Sequence, residues 1–251
     1  MRILITNDDG IRAPGICALA ERLAERAEVL VVAPERQQSA ASHGITLHKP
    51  LHVTPVEIAP GVTAYEVNGT PADCVKLALG ALCSDQPDIV VSGINEGANL
   101  GLDILYSGTA AAAAEAALLG LPALAVSLTA APFEFAAGVR VTERLAEEIL
   151  QRKLAENTFL NVNVPPGPYE LLCGIAVTRL GVRAYRNAYE QRIDPLGRPY
   201  YWQAGEPIRQ PNDEDTDVRA VERRQVSVTP VHFDFTNARL LATLSSWKLT
   251  L

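Results

Sequence analysis

No stretch of this chain approaches the roughly 20 consecutive apolar residues of a membrane-spanning helix. The richest run, 110–119, is mostly alanine, carries Glu115 and stops at Gly120. The amino terminus is equally short of apolar length: only a brief run precedes Asp8 and Asp9, against the about 7–15 apolar residues of a secretory signal. A soluble, cytoplasmic protein with no membrane partner is therefore expected. Cysteine is scarce. Cys17, Cys74, Cys83 and Cys173 stand far apart, without the Cys-x-x-Cys spacing that zinc or thiol–disulfide chemistry uses, so buried free thiols are expected. Positive charge is in deficit too: 22 Lys and Arg against 29 Asp and Glu give a net charge of -7 and a pI near 5.2. That excludes a general grip on a nucleic-acid duplex, which needs a basic face to displace counterions. An anionic ligand would have to be held locally, by a metal ion or by helix N-termini. Internal repeats and low-complexity runs are absent as well.

What is present is an ordinary globular composition. Its 251 residues, 48% hydrophobic and 20% charged, suffice for one large α/β domain or a core with an appended subdomain. Residues 1–6 form a β-branched and leucine run followed by Asn-Asp-Gly turn chemistry. Pro14 then opens a segment with Ile16, Leu19, Ala20 and Leu23 at helical spacing, and 29–33 reads as strand up to Pro34. A parallel pair with a right-handed crossover follows from that order. Thr70-Pro71-Ala72-Asp73 carries a capping hydroxyl, a first-turn proline and an acid three residues on, so a helix is predicted to start there. Residues 88–93 read as a buried strand, 110–119 as helix, 121–128 as strand, 142–154 as a charged helix and 159–164 as strand. Alternation of this kind predicts a doubly wound, mostly parallel sheet between helical layers. From about 175 the pattern changes to Tyr, Arg, Val and turn residues. Residues 183–203, with Asp194-Pro195-Leu196-Gly197 in their middle, predict a long β-hairpin, which cannot bury itself and so is expected to pack on a neighbouring subunit. The acidic run 212–217 reads as a solvated loop. The division expected is a catalytic core over 1–174 and a hairpin and oligomerisation region over 175–251.

In an open parallel sheet, ligands bind beyond the carboxyl ends of the strands, and several polar clusters fall there. Asp8 and Asp9 directly follow the first strand, and Gly10 permits the backbone to leave extended geometry. Two carboxylates this close repel unless a proton or cation is shared, which suits Mg2+ or Mn2+; a turn with a helix-capping aspartate is the rival reading. Asn95, in a loop with three glycines, offers neutral oxygen and close backbone approach. Ser107, Gly108 and Thr109 at a helix start suit a phosphate, with simple N-capping as the alternative. Ser39 taken alone is an ordinary loop serine. Ser42 is a candidate for substrate contact; the adjacent His43 could contact substrate or protonate a leaving group, but a solvated loop histidine is the simpler reading. His48 and His52 flank Pro50, which breaks any helix that could pair them on a metal. A hard cation beside an anion site is what phosphate-ester hydrolysis needs.

Four blocks of the chain carry a family resemblance: 3–10 with Pro14-Gly15; Ala33-Pro34 through Gln38-Ser39-Ala40; 68–75; and 91–109. Together they resemble SurE, the survival-protein family of 5′/3′-nucleotidases, with a looser match over 161–165 and the late hairpin. The resemblance implies a Rossmann-like three-layer α/β/α core with a C-terminal β-hairpin arm used in dimer or tetramer assembly. It implies Asp8, Asp9, Ser39 and Asn95 as ligands of one divalent cation per subunit. It places Asn99 and Ser107 to Thr109 beside the substrate phosphate, and implies hydrolysis of nucleoside monophosphates, sometimes with polyphosphate as a further substrate. Asp8, Asp9 and Asn99 are then the candidate catalytic residues. Ala110 stands where the family often has valine, and His43-Gly44 follows Ser42, a departure that bears on base or sugar preference. Two other classes fit less well. A phospho-accepting receiver module also pairs acids after its first strand but needs a lysine that 121–131 lacks, and a dinucleotide-dependent oxidoreductase wants Gly-x-Gly-x-x-Gly where this chain has acids.

Overall fold

The computed structural model describes residues 1–186, 189–203 and 205–247. Along the chain run β1 (Arg2–Thr6), α1 (Pro14–Ala24), β2 (Glu28–Pro34), β3 (Val53–Val56), β4 (Thr63–Val67), α2 (Pro71–Leu77), β5 (Ile89–Glu96), α3 (Gly108–Leu118), β6 (Ala123–Leu128), α4 (Phe135–Arg152) and β7 (Thr158–Val164). They are followed by β8 (Ile175–Val177), β9 (Ala184–Arg186), β10 (Tyr189–Ile193), β11 (Pro199–Gln203), β12 (Glu206–Ile208), α5 (Asp217–Glu222), β13 (Val226–His232) and α6 (Ala238–Ser245). Nine strands form one sheet in the order β3-β4-β2-β1-β5-β6-β7-β13-β8. The six from β4 to β7 are mutually parallel, and β3 and β13 add antiparallel neighbours at the two sides.

Strand alternation sorts the apolar residues into two cores, one on each face of the sheet. Ile3, Ile5, Val29 and Val31 face α1 and α4, whose Ile16, Leu19, Leu145 and Ile149 complete that layer. Leu4, Val32 and Val90 face the other side, where α2 and α3 pack together. Here small residues meet: the alanines of α3 lie over Ala123 and Ala125 of β6, so helix and sheet approach closely with little side-chain entropy lost. The three-layer architecture with its mostly parallel sheet is thus present as expected. The predicted helix start at Thr70 is a full capping box, with Thr70 Oγ1 accepting from the Asp73 amide and Asp73 accepting from the Thr70 amide.

After β7 the chain does two things. β8 and β13 extend the main sheet, while β10 and β11 form the predicted hairpin around the turn 194–197, where Gly197 has φ +79° and Asp194 accepts from the Leu196 and Arg198 amides. The pairing continues beyond the predicted end through β9 and β12; residues 187 and 188 of the predicted hairpin lie outside those described. Two expectations need correction. The run 212–217 is a solvated loop only in its first part: Asp213, Glu214 and Asp215 are exposed, but Thr216 and Asp217 are buried, and Asp217 accepts from the amides of Gly101, Gly181 and Val218, each at 2.8 Å. All four cysteines are free, but only Cys74 is fully buried and Cys173 is exposed.

Candidate active site

The chain leaves β1 towards β2 on one side and leaves β5 towards β6 on the other, so the two loops diverge and open a crevice at their carboxyl ends. The β1 loop is held as a tight turn: Asn7 Nδ2 donates to the Gly10 carbonyl at 2.9 Å, and Asn7 Oδ1 accepts from the Gly10 amide at 3.2 Å. Gly10 has φ +102°, and a Cβ there would meet the Arg36 backbone at 3.2 Å. Glycine is therefore required both by conformation and by the closeness of the loop after β2. That loop is bound to the turn by the Gln38 amide, which donates to the Asp8 carbonyl at 2.7 Å.

This turn sends the two aspartates apart. Asp8 is 6% exposed and accepts from the Thr109 hydroxyl at the start of α3. Burial pushes its carboxyl up to about 6, the Thr109 hydroxyl opposes that rise, and the Asp9 charge adds to it. Asp9 is only half-buried and turns towards β5, accepting from the Glu96 amide at 3.1 Å and from Gln37 at 3.5 Å. Burial raises it also, against the Glu96 amide. α3 reaches Asp8 because residue 108 is glycine: a Cβ would sit 2.7 Å from Asp8 Cβ and 3.1 Å from Pro71. The positive end of α3 thus lies against a carboxylate.

Asn95 stands one strand over. The β5–β6 pairing shifts register between Ser92 and Asn95, and such a bulge re-aims the side chains beyond it. Asn95 Nδ2 donates to the Gly97 carbonyl at 2.8 Å, which commits the amide nitrogen and leaves Oδ1 as a neutral donor atom. Ser39 is exposed, and its hydroxyl makes no hydrogen bond among the described residues. Ser42 is tied to the segment before α3, its hydroxyl donating to the Leu105 carbonyl at 2.7 Å and its amide to the Tyr106 carbonyl at 3.1 Å. Ser107 does cap α3, accepting from the Ala110 amide at 3.0 Å, and the Thr109 hydroxyl is engaged by Asp8.

Asn99 is buried and held on all sides. Its Nδ2 donates to Ser127 at 2.8 Å, its amide to Asn163 Oδ1 at 2.9 Å, and its carbonyl accepts from Asn161 and Asn163. Asn161 and Asn163 lie on one face of β7, and their part in fixing the β5 loop was not foreseen. Two asparagines at spacing two in a buried strand, where β-propensity disfavours them, are the signal that could have shown it. Also unforeseen was Glu115, which α3 buries and which binds His43 Nε2 at 2.7 Å and Lys76 at 2.9 Å.

Fold and site together define a doubly wound α/β protein whose switch-point crevice sets one buried carboxylate, Asp8, against a helix N-terminus and a second, Asp9, beside the end of β5. The family described as Survival protein SurE matches residues 3–187. A 5′-nucleotidase SurE of Carboxydothermus hydrogenoformans is 50% identical over 253 residues, covering 98% of this chain and 96% of the relative. One from Geobacter sulfurreducens is 51% identical, covering 100% and 95%. The crystal structure of the SurE protein from Aquifex aeolicus superposes with a TM-score of 0.84 at 41% identity, covering 98% of each chain. The chain belongs to the SurE family. Among the described residues no helix is long and apolar enough to cross a membrane.

Proposed function

We propose that this protein is a divalent-metal-dependent phosphomonoesterase that hydrolyses nucleoside 5′- and 3′-monophosphates to nucleoside and phosphate, with short polyphosphate as a further substrate. The observation that carries the reading is the buried carboxylate of Asp8, destabilised in its charged form and pressed against the N-terminus of α3. Relatives about half identical over the full chain are named 5′-nucleotidases.

The donor set fits one hard cation per subunit, Mg2+ or Mn2+. Among the described residues no group of three His, Cys, Asp or Glu side chains could hold an ion; the set instead joins two carboxylates, Asp8 and Asp9, to neutral oxygens from Asn95 and Ser39. When bound, such a cation supplies Lewis acidity at a phosphoryl oxygen and an acidified water. The rest falls to the protein. The first-turn amides of α3 and the Ser107 hydroxyl hold phosphoryl oxygens as charge grows on them, and Asn99, immobilised by Ser127 and β7, orients the same group. We further propose that 1–174 is the catalytic body and that the hairpin, which exposes Tyr189, Tyr201 and Trp202, joins copies of the chain as a homodimer or homotetramer.

A phosphate-release screen over nucleoside monophosphates and short polyphosphate, with Mg2+, Mn2+ or a chelator, tests this. Release from the mononucleotides that a chelator abolishes is expected; inactivity on every ester would refute it.

A further inference from the structure

Asn99 sits between Gly97, at φ +142°, and Gly101, at φ +55°, so its loop has little stiffness of its own. Asn99 is nevertheless buried and held by four hydrogen bonds. None of their partners belongs to β5, the strand from which the loop leaves. All four come from side chains of the next two strands in the sheet, Ser127 on β6 and Asn161 and Asn163 on β7.

The match is closest at Asn163. Its Oδ1 accepts from the Asn99 amide at 2.9 Å while its Nδ2 donates to the Asn99 carbonyl at 3.0 Å, the exchange of both bonds that a residue on a neighbouring strand would make. A carboxamide carries an acceptor and a donor side by side; an ionised aspartate of the same shape has no donor, and a serine has a single oxygen. Ser127 holds the other part of the residue, with Asn99 Nδ2 donating to its hydroxyl at 2.8 Å. Ser127 and Asn163 are both 0% exposed. Burying such groups costs free energy unless a partner is supplied, and here one loop residue supplies it to both.

Strand register ties this platform to the other side of the crevice. Asn95 on β5 is level with Ser127 on β6, and Ser127 is level with Asn163 on β7. Hydrogen-bonded strands lie about 4.8 Å apart, so the row Asn95, Ser127, Asn163 is a fixed scale carrying both a proposed cation donor and the anchors of Asn99. We propose that Asn163 and Ser127 are positioning residues of the reaction: Asn163 sets where the main chain of Asn99 stands, and Ser127 sets how its side chain is turned. The distance from Asn99 to the cation side is then fixed by the sheet, not by the glycine-flanked loop. This rests on the phosphomonoesterase reading and adds to it the residues that keep its phosphate side in place.

The test is a double-mutant cycle. Asn163→Ala and Ser127→Ala are made in the wild-type chain and in Asn99→Ala, and kcat on a mononucleotide with Mn2+ is measured beside Tm. In the wild-type chain each should lower kcat about tenfold to a hundredfold, the effect of a misplaced group. In Asn99→Ala, where no side chain is left to position, each should change kcat by less than about twofold, whereas Asn163→Ala should lower Tm as far as before, because its main-chain bonds are unaltered. Losses in kcat that multiply, or no loss in the single variants, would overturn the proposal. Ser127→Ala, which removes one oxygen, decides the matter if Asn163→Ala does not fold. A wild type that releases no phosphate would refute the activity itself, and calorimetric titration of the Mn2+-loaded protein with inorganic phosphate then carries the same cycle. Weaker binding in Ser127→Ala, with no further weakening when Ser127→Ala is added to Asn99→Ala, supports positioning; no binding, or equal affinity in all four proteins, rejects it.

Discussion

The hydroxyl of Thr109 donates a hydrogen bond to Oδ1 of Asp8, joining the first turn of α3 to the loop that leaves β1, 101 residues earlier in the chain. Both groups are buried. The contact makes one unit of the acid and the helix end that faces it, because the carboxylate cannot move without losing its partner and the helix cannot withdraw without exposing Asp8.

Replacing that hydroxyl should therefore damage activity more than stability. Thr109→Val keeps the shape and removes a hydrogen bond to a charged group, about 1.5–3 kcal/mol. Kcat/KM on a mononucleotide is expected to fall roughly tenfold to a hundredfold, with Thr109→Ser restoring most of it. A wild-type rate in the valine variant would show that Asp8 needs no such anchor.

Cation binding should stabilise the fold through Asp8 and Asp9. A ligand at 100 times its Kd adds about 2.7 kcal/mol, which for a chain of this size raises Tm by roughly 5–10 °C. Differential scanning fluorimetry with Mn2+ should show the rise in wild type and none in Asp9→Asn. The same rise in both would remove Asp9 from the donor set.

The buried carboxylate of Asp217 links the site to the root of the hairpin, since Gly101 and Gly181 both donate to it. Asp217→Ala leaves three amides unpaired, at about 1–3 kcal/mol each, and loosens the loop that carries Asn99. Both a lower Tm and a lower kcat are expected, with Asp217→Asn intermediate. Unaltered kinetics in a folded alanine variant would uncouple the two regions.

Asp73 gives a pH dependence. Burial alone would raise its carboxyl, but hydrogen bonds from the Thr46 hydroxyl and amide and from Thr70 outweigh burial and hold it below its ordinary range. A carboxyl depressed in the folded state contributes stability above its unfolded value, roughly 3.9, and loses it as the pH falls through the folded value. Asp73→Asn should lower Tm most near neutrality, with the gap to wild type closing below about pH 4. Calorimetry from pH 7 to pH 3 would contradict this if the gap were constant.

The alternation of β-branched runs with helical spacing was enough to read the doubly wound sheet, because each strand of a parallel sheet is buried on both faces and each crossover helix must cover one of them. The capping box at Thr70 was legible for a similar reason: its partners lie within three residues. The edge strand β3 and its neighbour β4 were not read, because Val53–Val56 and Thr63–Val67 are short and half-exposed and take their order from pairing, β4 with β2 and β3 with β4. The acidic run 212–217 misled because burial of Asp217 depends on amides more than 30 and 100 residues away.

By itself, then, the sequence determined the layers, the crevice end of the sheet and the residue types gathered there, since these follow from local periodicity and from the rule that parallel strands end on one side. Only the tertiary structure decided where each of those side chains is held and by what. Gly10 turns Asp8 inward to Thr109 and leaves Asp9 beside Glu96, Ser107 caps its own helix, Asn99 is clamped by β7, and His43 is oriented by Glu115. Apart from the local cap at Ser107, each of these depends on a close approach between segments distant in the chain, and such contacts are set by packing rather than by local pattern.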